Sequence, residues 1–184
     1  MPSRIYLIRH GASEGPPALL GQSDPPVSEE GAQQAEQLAD RLAGEEINAI
    51  VSSPLSRARR TAVILAAHLR AKLSLDPRLS EISYGEWDGL SWGEIERRDP
   101  ETARQKQLDW FGVTPAGGES VAAFATRVRQ AWDELLEHEA ERLGVVAHVG
   151  VNSLLREYAA GRDANWERVA AFAQNHCESL LLEI

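Results

Sequence analysis

Two histidines stand where apolar runs end. His10 lies between Arg9 and Gly11 after Ile5-Tyr6-Leu7-Ile8, and His148 follows Val145-Val146-Ala147 and precedes Val149-Gly150. A neutral imidazole is a competent nucleophile, and its ordinary pKa near 6.5 leaves it mostly neutral at pH 7. Attack on phosphorus needs the charge on the equatorial oxygens to be balanced. Arginine offers planar, bidentate donors for that task. Gly11 permits close backbone approach and could either give its N–H or hold the ring through its carbonyl. One histidine at a strand end is as easily structural; the flanking Arg and Gly, and the second histidine, favour chemistry.

Further groups fit the same task. In Ser53-Pro54-Leu55-Ser56-Arg57-Ala58-Arg59-Arg60, Arg57 falls in the first turn of an expected helix, where backbone N–H groups also favour anions. Arg59 and Arg60 read as a solvated basic face. A departing alkoxide needs a proton, and a carboxyl group with a raised pKa can supply it. Glu81, Glu86 and Asp88 all qualify by type, and composition does not choose among them. Neither histidine has a second metal ligand at short spacing, so no metal site is expected.

These groups need a scaffold that brings distant segments together. Residues 4–9 form a strand pattern, 12–27 a loop, and Ser28 caps a helix reaching about Gly44. A strand over 47–52 precedes a helix to about Leu69 with Pro54 in its first turn, and a short strand lies near 73–75. Residues 91–111 are weakly helical and divided at Pro100, and 112–118 form a Gly/Pro loop. The longest helix is expected from Glu119 to Leu143, closed by Gly144. A strand over 145–149, a short helix over 151–160 and a terminal strand over 179–184 complete the chain. Alternating strands and helices imply a three-layer α/β/α sandwich with a largely parallel central sheet. Ligands in such folds lie beyond the carboxyl ends of the strands, where Arg9-His10 and His148 fall. We expect one domain over 1–184, with 98–118 a cap-like insertion over the site.

The net charge of −9 argues against a nucleic-acid partner, so a positive site must be local. No apolar run is long enough to span a membrane, and the N-terminus carries no secretory pattern; a cytoplasmic location is expected. Cys177 is the only cysteine, which excludes an intrachain disulfide and reads as a small buried apolar residue.

Arg9-His10-Gly11, Ser53-Pro54-Leu55-Ser56-Arg57-Ala58 with Thr61-Ala62, Glu81 before Tyr84-Gly85-Glu86-Trp87-Asp88-Gly89, and His148-Val149-Gly150 resemble the histidine phosphatase superfamily in its phosphoglycerate-mutase-like branch. Gly21 to Ser28 with Gly31 and Gln34-Ala35, and Pro115 to Ser120, resemble its other segments. The resemblance implies that His10 is the phosphorylated nucleophile, that Arg9, Arg57 and His148 bind the phosphoryl group, and that Glu81 is the proton donor and later the base for water. It implies no metal or organic cofactor. Gly11, Ser13, Gln22, Ser23 and Gly150 are the further expected substrate contacts. Two positions depart from the family pattern: Pro16 stands where an Asn is frequent, so that Ser13 or Gln22 would replace its donor, and Val149 stands where Gly or Ser is common.

The chain has little sequence from which to build the cover a mutase needs against water, so hydrolysis is expected over transfer. The expected partner is a small phosphomonoester, with α-ribazole 5′-phosphate first and phosphoglycerate or a sugar phosphate as alternatives. Trp87, Trp92, Trp110 and Phe111 could stack on a flat base. A phosphoglycerate mutase or a non-catalytic phosphate-binding module are the competing classes, and a homodimer is left open.

Overall fold

A computed structural model describes residues 1–184. Five strands form one sheet: β1 (Arg4–Arg9), β2 (Ala49–Ser52), β3 (Lys72–Leu75), β4 (Arg142–Ala147) and β5 (Ser179–Glu183), in the order β3-β2-β4-β1-β5. The first four are parallel, and β5 runs antiparallel along β1 at the edge. Parallel neighbours require crossovers, which the helices supply.

Successive strand residues point to opposite faces, and the core divides accordingly. Ile5, Leu7, Val51, Val145 and Ala147 face one layer, built from α5 (Val121–Leu136) and α6 (Val149–Ala159). Tyr6, Ile8, Ile50 and Val146 face the other, built from α1 (Glu29–Leu42) and α2 (Ser56–Leu69). The result is the expected three-layer sandwich. Ser28 caps α1 by accepting from the Gly31 N–H, and Ser120 caps α5 by accepting from the Ala123 N–H.

Between β3 and α5 lie α3 (Trp92–Arg98) and α4 (Pro100–Leu108). Pro100 opens α4 because its missing N–H is one that a helix start leaves unpaired. Asp99 joins the two helices: its side chain accepts from the Thr102 N–H and from Trp87 Nε1. Trp87, Ile95 and Ala103 make a small separate core there.

Several boundaries differ from the sequence expectation. The helix expected to reach Leu143 stops at Leu136, because the apolar stripe ends at Leu135 and the His138 ring accepts the Ala140 N–H in a turn. Gly144 closes no helix; it lies inside β4, where a Cβ would press on Ile50 at 3.2 Å. Pro54 precedes α2 rather than entering its first turn, since Leu55 is the N-cap. The helix expected over 151–160 starts at Val149, directly after His148, and α7 (Trp166–Ala171) was not anticipated. No helix is long and apolar enough to cross a membrane.

Candidate active site

The four parallel strands deliver five groups to one cavity, two of them from β1. β1 ends at Arg9 with His10 next, and β4 ends at Ala147 with His148 next; Arg9 pairs with Ala147, so the imidazoles are neighbours, with ring centroids 5.0 Å apart. β2 leads through Ser53 to Arg57 in the first turn of α2. β3 leads through a single 3-10 turn, Pro77–Leu79, to Glu81. All five side chains line one cavity of about 430 Å³.

His10 is buried, and its Nδ1 lies 2.8 Å from the Gly11 carbonyl. A carbonyl only accepts, so Nδ1 carries the hydrogen and Nε2 keeps its lone pair. Burial lowers the pKa to about 3, with Arg57 and Arg9 pushing the same way against the Gly11 bond. The ring is therefore neutral at pH 7, with its nucleophilic nitrogen free. Gly11 thus holds the ring by its carbonyl, while its N–H goes to Thr61 Oγ1 at 2.9 Å. Its lack of a side chain serves packing: a Cβ would come within 2.3 Å of the Gly31 carbonyl at the start of α1.

Arg57 is almost wholly buried. Its two Nη groups donate to the carbonyls of Ser23 and Gly21, both at 2.8 Å, which fixes the guanidinium plane. Arg9 donates from Nη1 to the Gln174 carbonyl at 2.6 Å. Burial lowers the pKa of both, but nearby Glu81 opposes it, and guanidinium stays charged. His148 Nε2 lies 2.9 Å from Ser53 Oγ. Ser53 Oγ also accepts the Leu55 N–H at 3.3 Å. With Ser53 as the donor to His148 Nε2, the imidazole hydrogen stands on Nδ1. Burial holds this ring neutral too, its pKa well below the ordinary value. Arg9 Nε, Arg57 Nε and His148 Nδ1 are buried and have no partner in the protein. Two unpartnered guanidinium N–H groups and an unpartnered imidazole nitrogen on residues that share a cavity with His10 suit an anion with several oxygens.

Among the three acids left open by sequence, geometry separates Glu81. Glu86 is exposed and outside the cavity. Asp88 accepts from the N–H groups of Gln22 and Tyr84 and from the Ser83 hydroxyl, and so braces the loop. Burial raises the Glu81 pKa, opposed by N–H bonds from Ile82 at 3.0 Å and Gly150 at 3.2 Å. Arg127 secures this segment by donating to the carbonyls of Arg78, Ser80 and Glu81, while itself paired with Glu119. Gly150 makes room, since a Cβ there would lie 2.5 Å from Glu81 Oε1.

The remaining expected contacts stand elsewhere. Ser13 bridges to Val27, outside the cavity. Ser23 donates its hydroxyl to the Leu20 carbonyl, and Gln22 Nε2 donates to the Glu81 carbonyl, so both support the wall instead of facing the centre. Pro16 is exposed, while its neighbour Pro17 lines the cavity. Sequence reasoning missed His176, whose ring lies 5.5 Å from that of His10. The available signal was the terminal strand: antiparallel to β1, it starts beside the end of β1, with Ser179 opposite Ile8. No three His, Cys, Asp or Glu side chains come together as a metal-holding group.

A three-layer sandwich with imidazoles, guanidiniums and a carboxyl group gathered at the strand ends defines an anion-handling α/β protein. The chain belongs to the Histidine phosphatase superfamily (branch 1), whose model matches residues 5–184. It is 38% identical over 160 residues to the bifunctional protein Rv2228c of Mycobacterium tuberculosis, a match covering 84% of this chain and 44% of that protein. The chain thus spans less than half the length of that relative. Among solved structures, the α-ribazole phosphatase of Shigella flexneri superposes with a TM-score of 0.88 at 26% identity, over 97% of this chain and 89% of that one. The mycobacterial glucosyl-3-phosphoglycerate phosphatase Rv2419c superposes with a TM-score of 0.84 at 28% identity, over 97% and 90%.

Proposed function

We propose that this chain is a metal-independent phosphomonoester hydrolase that forms a phosphohistidine on His10. Nε2 of His10 attacks phosphorus in line with the leaving oxygen, and the P–O bond to the alcohol breaks. Arg9, Arg57 and the Nδ1–H of His148 donate to the three equatorial oxygens as charge spreads over them. Protonated Glu81 gives its proton to the departing alkoxide. In the second half, the Glu81 carboxylate takes a proton from water, the water oxygen bonds to phosphorus, and the P–N bond breaks to release phosphate and free His10.

The observation that carries this reading is the set of three unpartnered buried nitrogens on residues that line one cavity with His10, whose Nε2 is free. They supply the positive field that a metal would otherwise supply. The test is hydrolysis of p-nitrophenyl phosphate by the purified protein with and without chelator. We expect activity in both, acid-labile label on the wild type, and neither activity nor label in a folded His10→Ala protein. Full activity in His10→Ala, or loss on chelation, overturns the reading.

As substrate we infer a small phosphorylated metabolite, α-ribazole 5′-phosphate first. Likeness to the Shigella flexneri enzyme supports it. A phosphoglycerate or sugar-phosphate ester is the second reading, favoured by likeness to the glucosyl-3-phosphoglycerate phosphatase. Turnover of these esters side by side decides between them.

A further inference from the structure

A second cavity, of about 390 Å³, opens on the far side of Glu81. It shares Glu81, Tyr84 and Val149 with the phosphate cavity. Its other walls are mainly apolar, including Trp110 and Phe111 after α4, Phe124 on α5, and Trp166 and Phe172 at the two ends of α7. Phe111 stacks on Trp166 with centroids 5.2 Å apart and planes 26° from parallel. Lys106 is the one cation of the lining, and its Nζ is already committed to the Val113 carbonyl and to the face of Trp110.

We propose that this cavity is the leaving-group subsite and that it selects phosphomonoesters whose alcohol ends in a flat apolar ring. The inference rests on the hydrolase reading. Glu81 lines both cavities, so an ester oxygen beside it has its phosphoryl group on the His10 side and its carbon skeleton on the aromatic side. A polyol or carboxylate skeleton entering there would lose its water and find few partners, which costs free energy. A ring would meet aromatic walls at low desolvation cost. The volume lies within the range of small-molecule sites. The aromatic residues expected to act together divide: Trp110 and Phe111 line this subsite, Trp92 lines the phosphate cavity, and Trp87 is buried in the small core.

The test compares 2-phenylethyl phosphate with n-propyl phosphate, whose alcohols have similar acidity, so that their ratio reports binding of the ring and not leaving-group chemistry. Burying a phenyl ring in the subsite should raise kcat/KM about tenfold to a hundredfold. Ala170→Trp, which adds bulk to a wall of the cavity, should bring the ratio towards one. Should that variant fail to fold, wild-type inhibition by 2-phenylethylphosphonate and n-propylphosphonate gives the same comparison, with the phenyl compound binding at least about tenfold tighter. Equal kcat/KM or equal inhibition for the pair overturns the subsite and leaves the hydrolase intact. No turnover of p-nitrophenyl phosphate overturns the hydrolase itself.

Discussion

The two cavities on either side of Glu81 are built by different physics. In the phosphate cavity, the functional groups come from the segments that follow the carboxyl ends of the strands, and most of them are held by backbone groups. Arg57 is held by two carbonyls, His10 by one, and the Glu81 carboxylate by two N–H groups. In the aromatic cavity the walls come mostly from α4, α5, the start of α6, α7 and the loops beside them, and most of the lining is apolar. The first arrangement fixes donors in direction before any ligand arrives, which suits a charge-stabilising site. The second fixes only shape and polarity, and can change its preference by exchanging a side chain. Chemistry is written into the sheet, and selectivity into the helices around it.

The sharpest way to break this comparison is to loosen one fixed donor. Arg57→Ala removes a buried cation and leaves the Gly21 and Ser23 carbonyls without donors. We expect kcat/KM for p-nitrophenyl phosphate to fall roughly a thousandfold. A fall of only a few fold would mean that the donor network is redundant. Glu81→Gln should cost roughly a hundredfold with alkyl esters and much less with p-nitrophenyl phosphate, whose leaving group needs little protonation. Since burial raises the Glu81 pKa, the protonated form persists to higher pH than for an exposed glutamate. Turnover of alkyl esters should therefore fall as pH rises through that raised value, and the variant should lack this limb. An identical loss with both ester types would move the acid role to another group.

Stability should follow the imidazoles. His10 has a folded pKa of about 3, and His148 also lies well below 6.5, so the unfolded chain binds more protons than the folded one between those values and the ordinary one. Stability is then full above about pH 6.5 and falls as pH drops towards 3. The slope is at most about 1.4 kcal/mol per pH unit for each ring. His10→Asn should flatten the fall in Tm between pH 6.5 and 4.5, and an unchanged slope would show that carboxylates alone set the acid limit.

The sequence made legible those site residues that lie beside a strand with an unmistakable apolar pattern. His10 and His148 follow β1 and β4 directly, and Arg57 opens the helix after β2, so strand and chemistry could be read together. Glu81 is one of three acids in a loop, and only its place in the lining of the cavity that holds His10 singles it out. Ser53 received no role of its own from the sequence, because the hydrogen bond that gives it meaning spans 95 residues. The end of α5 was misplaced because polar Glu137, His138 and Glu139 suit helix and turn alike, and a glycine in β4 resembles a stop signal. At six residues, α7 is too short to display a full apolar stripe.

Ser53→Ala sharpens the comparison at smaller scale. Without the hydroxyl, His148 can place its hydrogen on Nε2 and present a lone pair at Nδ1, where a phosphate oxygen needs a donor. KM and the inhibition constant for inorganic phosphate should rise about tenfold while kcat changes less. A drop in kcat alone, with phosphate affinity preserved, would show that Ser53 acts on folding or on Leu55 and not through the tautomer.

The smallest effect is expected at His176, which faces the phosphate cavity from the loop before β5 and is only half-buried. Burial and Arg9 lower its pKa, so it is mostly neutral at pH 7 in the empty site. A bound phosphate dianion acts in the opposite direction and favours the imidazolium. Binding should therefore take up a proton, and wild-type KM should improve as pH falls from 8 towards 6. His176→Ala should raise KM about twofold to fivefold at the lower pH, have less effect at pH 8, and flatten the trend, because a partly solvated charge contributes modestly. Parallel KM profiles for the two proteins would mean that the ring stands beside the anion without sensing it, and that Arg9, Arg57 and His148 bind it alone.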